Sequence, residues 1–284
     1  MRNKRNAPRQ PLAITRPKAA AKSKDASKIK PAVRPKSTDT ALRRAAASKP
    51  AIKPNAGKTA ASARSRTRAA ASRAKPARER APEIFARLHA AYPDAHCALD
   101  FKSPYQLLVA TILSAQCTDK RVNMVTPGLF KRYPHPADLA AAKPEELEEM
   151  IKSTGFFRNK SRSLLGMSNA LVEKHHGEVP SEMGQLVQLP GVGRKTANVV
   201  LGNAFGRDEG IVVDTHVARV SHRLALTTQS DPIKIEQDLM ALFPRDQWTL
   251  LAHLLIEHGR KICEARRPKC EECMLTDLCP ASRV

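Results

Sequence analysis

The chain has 284 residues and a formal net charge of +22, yet 24 of its 49 Lys and Arg lie in residues 1–80 against only three acids there, Asp25, Asp39 and Glu79. The remaining residues balance to within +1, which excludes one evenly charged globular body over the whole length. No apolar run approaches the roughly 20 residues that span a bilayer, and no signal-peptide core follows the start, so the sequence reads as a soluble cytoplasmic protein.

Residues 1–79 are built from Ala, Lys, Arg, Ser and Pro with almost no large apolar side chains. Such a segment buries too little apolar surface to offset the entropy of ordering, and a disordered basic tail is expected there. It should attract polyanions, because each cation that neutralises a phosphate releases a condensed counterion. A tail that only aids solubility is the alternative. A mitochondrial presequence fits less well, given the many Pro and Lys and the lack of an apolar stripe.

From about Pro82 onward the pattern is helical almost throughout. Ile84, Phe85 and Leu88 make one face of a first helix, and Tyr105 to Leu113 form an apolar helix buried all round. Pro144-Glu145-Glu146 opens another, with acids in the first turn where the helix dipole favours them. Segments near 158–175, 182–189, 195–205, 215–226, 232–243 and 246–262 follow, divided by Gly, Pro or Asn. The only strand-like run is Ile211-Val212-Val213. An all-α protein with a sizeable core is expected.

Leu189-Pro190-Gly191-Val192-Gly193 forms a tight turn between a short helix and a second one beginning near Arg194. Two glycines one residue apart permit positive φ or close backbone approach, and the new helix aims unpaired N–H groups outward, a geometry suited to a phosphate. Lys195 then falls in the first turn, where the dipole repels a cation by about 0.3–1 kcal/mol. Two readings fit it. Lys195 is a surface cation touching DNA phosphate, or the repulsion and partial burial hold its amine uncharged more often than the roughly one time in 10³ of a free lysine at pH 7, as a nucleophile requires. Asp214, in Val213-Asp214-Thr215-His216, sits at the N-cap of the next helix. It is a plain cap, or a cap that also takes up a proton or stabilises positive charge on a sugar ring.

Cys97 and Cys117 are isolated in apolar surroundings, as buried free thiols are. Cys263, Cys270, Cys273 and Cys279 crowd into 17 residues, which in a reducing compartment suggests a metal site before disulfides. Zinc sites usually pair two short knuckles, and Cys270-Glu271-Glu272-Cys273 is the only one here. Spacing alone leaves zinc and iron–sulfur both open, with a modest preference for the latter.

The segments LPGVGRKTANVVL and VDTH, followed by cysteines at C-x6-C-x2-C-x5-C, together resemble the endonuclease III branch of the helix-hairpin-helix DNA glycosylases in its bacterial form. The resemblance extends over most of residues 80–284, through LLVATILSAQCTDKRVN, the stretch Gly155 to Lys160, and HGRKIC. It implies a two-domain all-α fold. Residues 99–210 would be a six-helix barrel carrying the hairpin, and 80–98 with 211–284 a domain around a 4Fe-4S cluster held by Cys263, Cys270, Cys273 and Cys279. It further implies a monomeric, nucleoid-associated enzyme that binds double-stranded DNA containing damaged bases or abasic sites. Lys195 would attack C1′ of a flipped oxidised pyrimidine nucleotide with Asp214 assisting, and β-elimination would then nick the strand on the 3′ side.

Other positions follow from the same resemblance. Gln116 would fill the gap left by the flipped base; from residue type alone it is an ordinary polar helix end. Phe156 stands where relatives often carry a leucine wedge, and an aromatic can still stack between bases. Leu189, Gly191, Gly193 and Arg194 of the hairpin would hold the DNA backbone. Arg266, Arg267 and Lys269, between Cys263 and Cys270, would present a basic edge to phosphates. The related branch that removes adenine opposite oxidised guanine lacks the hairpin lysine, carries an acid in the apolar helix and has a further C-terminal domain. Lys195, the acid-free stretch Leu107–Leu113 and the chain end five residues after Cys279 favour the pyrimidine-lesion branch.

Overall fold

A computed structural model describes residues 75–284. Eleven α-helices and four short 3-10 turns make up its regular structure, with no strand among the described residues. The expected tail over 1–79 lies outside the described residues except at its end, where helix α1 (Ala77–Ala91) begins before residue 80. Ile211-Val212-Val213 is a connection rather than a strand: it pairs with no segment among the described residues, and Ile211 and Val213 are instead buried as single apolar anchors.

Two hydrophobic cores organise these elements. The first draws on residues from Leu99 to Leu201. Its centre is α2 (Pro104–Leu113), which starts at a Ser103 cap and Pro104 and buries seven of its ten residues, as its unbroken apolar sequence predicts. Around it lie α3 (Asp119–Arg132), α4 (Pro136–Ala140), α5 (Pro144–Ile151), α6 (Phe157–His175), α7 (Met183–Leu186) and α8 (Arg194–Phe205). Helix α3 is not apparent from punctuation, because Pro127-Gly128 lies inside it. A Thr118 cap, Asp119 in the first turn and Lys131 and Arg132 in the last turn compensate for the broken ladder.

The second core joins α1 to the C-terminal elements: α9 (Thr215–Arg223), α10 (Pro232–Leu242), α11 (Trp248–Lys261) and the loop that ends in Leu275. Chain ends distant in sequence thus share one interior. Arg80, 4% exposed, fixes the junction. Its guanidinium donates to the carbonyls of Leu224 (2.7 Å) and Leu278 (2.9 Å), tying α1 to the end of α9 and to the cysteine-bearing segment. Among the described residues, no helix is long and apolar enough to cross a membrane.

Candidate active site

The hairpin runs from α7 through Leu189–Gly193 into α8. Leu189 and Val192 are buried in the first core, so Leu189 can offer a ligand only its backbone. Val192 N–H donates to the Leu189 carbonyl at 3.1 Å, closing the turn. Gly191 has φ of 77°, and a Cβ there would stand 2.6 Å from Ser163 Cβ on α6, so both conformation and packing demand glycine. Gly193 serves differently. It caps α8 with an extended backbone, and no atom lies within 4 Å of where its Cβ would be. No side chain caps α8, which leaves its first-turn N–H groups free to meet an anion at the positive end of the helix.

Lys195 opens from that helix start into a cleft of about 1270 Å³, lined also by Asp214, Gln116, Ser114, Asn203 and His253. The partial burial expected for Lys195 is not observed: its side chain is exposed, because the uncapped end of α8 faces the cleft mouth. Asp214 caps α9 through one oxygen, with Oδ1 accepting from His216 N–H and Val217 N–H at 2.8 Å each. Oδ2 has no hydrogen-bond partner among the described residues, so the carboxylate retains an oxygen for other work. Gln116 is exposed with φ of 53° and Phe156 is 61% exposed with φ of 48°. Left-handed backbone costs a non-glycine residue about 1–3 kcal/mol, so the surrounding structure must hold both loops. Phe156 is not among the cleft-lining residues; it projects from the start of α6.

Arg194 is engaged within the protein. Its Nε and Nη2 donate to Glu236 at 2.9 and 3.0 Å, and Asn198 Nδ2 donates to the same carboxylate at 2.8 Å. Glu236 is 4% exposed on α10, so this fork fastens the start of α8 to the second core. Across the same seam His253 Nε2 meets Asn203 Oδ1 at 2.8 Å. Burial, with help from nearby His96 and against Glu257, brings the His253 pKa down to about 4, so the ring is neutral and donates to the amide oxygen. Neither Glu236 nor His253 carries a local signal: each sits in an ordinary amphipathic helix, and only the fold supplies its partner.

The four C-terminal cysteines are half-buried and free, and Cys263, Cys273 and Cys279 border the second core. Their connecting loop is fastened from α9. Arg223 donates to the carbonyls of Glu264 (2.7 Å) and Ala265 (2.8 Å) and to Cys263 Sγ (3.1 Å), and Arg219 to the Cys263 carbonyl (3.2 Å). Leu275 N–H points at Cys273 Sγ (3.4 Å), and burial pushes the Cys279 thiol up to about 11, the other three cysteines adding to the effect. No three of the described His, Cys, Asp and Glu converge on a point that would hold one metal ion. A four-iron cluster asks for something else, one thiolate per iron spaced around a cube, and a gathered all-sulfur donor set with N–H groups aimed at sulfur suits it. Arg266, Arg267 and Lys269 are exposed on this loop. Cys97 and Cys117 are half-buried free thiols that pack against the first core, as their apolar surroundings suggest, and also line the cleft wall.

Residues 109–245 match the HhH-GPD superfamily of base excision DNA repair proteins. The chain is 55% identical over 207 residues to endonuclease III of Synechocystis sp., an alignment covering 73% of this chain and 94% of the relative. Identity to endonuclease III of Bacillus subtilis is 47%, covering 66% and 86%, and to that of Escherichia coli 40%, covering 69% and 93%. A solved structure of a trapped endonuclease III–DNA covalent intermediate superposes with a TM-score of 0.69 at 43% identity, covering 72% of this chain and 97% of that one. A thermostable thymine-DNA glycosylase, 22% identical with a TM-score of 0.66, shares the fold and covers 72% and 97%. With the hairpin, the lysine-bearing cleft and the gathered cysteines in place, the chain belongs to the endonuclease III family, the DNA glycosylase/lyase enzymes of base-excision repair.

Proposed function

We propose that this enzyme is a bifunctional glycosylase acting on oxidised pyrimidines and abasic sites in duplex DNA, with Lys195 as nucleophile and Asp214 as its partner. The observation that carries the reading is that Lys195, at the uncapped start of α8, and Asp214, with one oxygen unused, line one cleft. DNA closing over the cleft would remove the water that now surrounds the exposed Lys195 and bring its amine against the sugar. The amine then bonds to C1′, the glycosidic bond breaks and the base leaves with its electron pair and a proton. Asp214 stabilises the positive charge that develops on the sugar. Ring opening gives the Schiff base, and loss of a C2′ proton expels the 3′ phosphate.

Access to C1′ requires the nucleotide to leave the stack, at a cost of a few kcal/mol that is smallest for damaged bases. Gln116 fills the gap and Phe156 stacks into the opposite strand, while the N–H groups of Gly191 and Gly193 and of the start of α8 hold a phosphate. Arg194 contributes by anchoring that helix to Glu236. Cys263, Cys270, Cys273 and Cys279 hold a 4Fe-4S cluster. When bound, that group supplies a rigid scaffold that presents Arg266, Arg267 and Lys269 to backbone phosphates. The basic segment 1–79 adds sequence-independent DNA affinity, and the enzyme works as a cytoplasmic, nucleoid-associated monomer.

Borohydride trapping on duplex containing an abasic site tests the assignment. Lys195→Gln is expected to bind that duplex with affinity near that of the parent and to form no covalent product. Undiminished trapping by this variant removes Lys195 from the role.

A further inference from the structure

Gln116 and Phe156 lie on separate loops, one after α2 and one before α6, yet both have left-handed backbone. Non-glycine residues persist there only where their surroundings over-determine them. One side chain reaches both loops. Lys160, 5% exposed on α6, donates from Nζ to the carbonyl of Leu113 and to that of Thr154, each at 2.8 Å. Leu113 ends α2, and its carbonyl is one of those a helix terminus leaves without an intrahelical partner. Gln116 follows three residues later. Thr154 ends the 3-10 turn Lys152–Thr154, two residues before Phe156, and is itself buried.

A buried ammonium with no paired carboxylate among the described residues is a costly choice for packing alone. Burial presses its pKa down, opposed by the neighbouring Cys117 thiol. Two carbonyl dipoles at the ends of two elements are what this ammonium satisfies, and a lysine near a helix C-terminus is also favoured by the dipole.

We propose that Lys160 is a positioning residue that locks the Gln116 and Phe156 loops to each other, so that both side chains meet the duplex as one pre-set element. The proposal rests on the reading of those two residues given above. Ordering either loop at the moment of binding would otherwise be subtracted from the energy available for opening the base pair.

Lys160→Met removes both donated bonds and keeps most of the stem. Single-turnover excision of thymine glycol from a fully paired duplex should slow about tenfold or more, whereas excision from an unpaired bubble should change by less than about twofold. Equal slowing on both substrates overturns the proposal, since a general loss of packing acts on both. In a Gln116→Ala/Phe156→Ala background, Lys160→Met should no longer alter the paired-to-bubble ratio. If that background itself keeps the parental ratio, the reading of Gln116 and Phe156 fails and the proposal with it. If it lowers the ratio while Lys160→Met alone does not, only the proposal fails.

Should Lys160→Met not fold, hydrogen exchange of the unaltered protein decides. The amides of Cys117 and Gly155 are bonded within their own turns, to Ser114 at 3.0 Å and Lys152 at 3.2 Å. They are expected to open together with matching equilibrium constants, and constants differing by more than about tenfold overturn the lock.

Discussion

The two cores are closed by different means. The first is closed by shape: α2 alone buries seven residues, and most of the interior between Leu99 and Leu201 is aliphatic. The second is closed in part by arginines that reach backbone carbonyls. Arg80 serves the end of α9 and Leu278, Arg219 serves Gly259 and Cys263, and Arg223 serves Cys263, Glu264 and Ala265. The reason is chain geometry. Beyond Lys261 only two three-residue 3-10 turns remain, so the loop has many carbonyls without a ladder, and a guanidinium with five donors is the compact way to satisfy several at once. Helical packing suffices where helices are long; where they run out, charge-assisted bonds to backbone carbonyls take over.

Breaking the first core should have the largest effect. Leu108→Ala removes a fully buried side chain from the centre of α2 and is expected to cost about 2–5 kcal/mol in urea denaturation. A loss under about 1 kcal/mol would mean that shape is not what closes this core. Arg80→Ala should follow, costing about 2–3 kcal/mol because it strands the Leu224 and Leu278 carbonyls. Amide protection should fall mainly in α9 and the cysteine loop; uniform loss across both cores would erase the distinction.

The seam between the cores gives a pH test. His253 is neutral when folded down to about pH 4, whereas the unfolded ring takes up a proton below about pH 6.5, so stability contributed by the neutral ring is lost as pH falls between those values. About 2 kcal/mol should disappear through His253 between pH 7 and pH 4.5, and His258, whose burial also brings its pKa down to about 4, adds a similar share, so His253→Gln should roughly halve that slope. An unchanged slope in the variant would show that the ring is not titrating in the unfolded chain alone. The smallest effect belongs to the surface. Arg87→Ala breaks pairs with the exposed Asp277 and Glu83 and one partly buried bond to the Met274 carbonyl, and should lower the denaturation midpoint by less than Arg80→Ala does, nearly all of it through the carbonyl bond despite the 2.6 Å ionic contact.

Local features of the site were legible in the sequence, and long-range ones were not. The hairpin turn, the uncapped start of α8 and Asp214 as a cap all follow from residue type over a few positions, and each stands where its spacing places it. Lys160 reaches Leu113, Arg194 reaches Glu236, and Arg80 reaches Leu278, and no periodicity encodes partners so distant. Helix α3 was hidden because Pro127-Gly128 reads as a break, while its caps and tertiary packing override that signal. The exposure of Lys195 was also beyond sequence, since a helix start looks the same whether it faces a cleft or a core.

The proposed mechanism turns on the covalent bond between one amine and a deoxyribose carbon. Reducing the enzyme on abasic-site duplex with borohydride, digesting the product and sequencing the DNA-modified peptide by mass spectrometry reads that bond directly. The modification is predicted on Lys195, within the peptide that carries the start of α8. Attachment to any other residue, or none on an enzyme that still cleaves the strand, would contradict it.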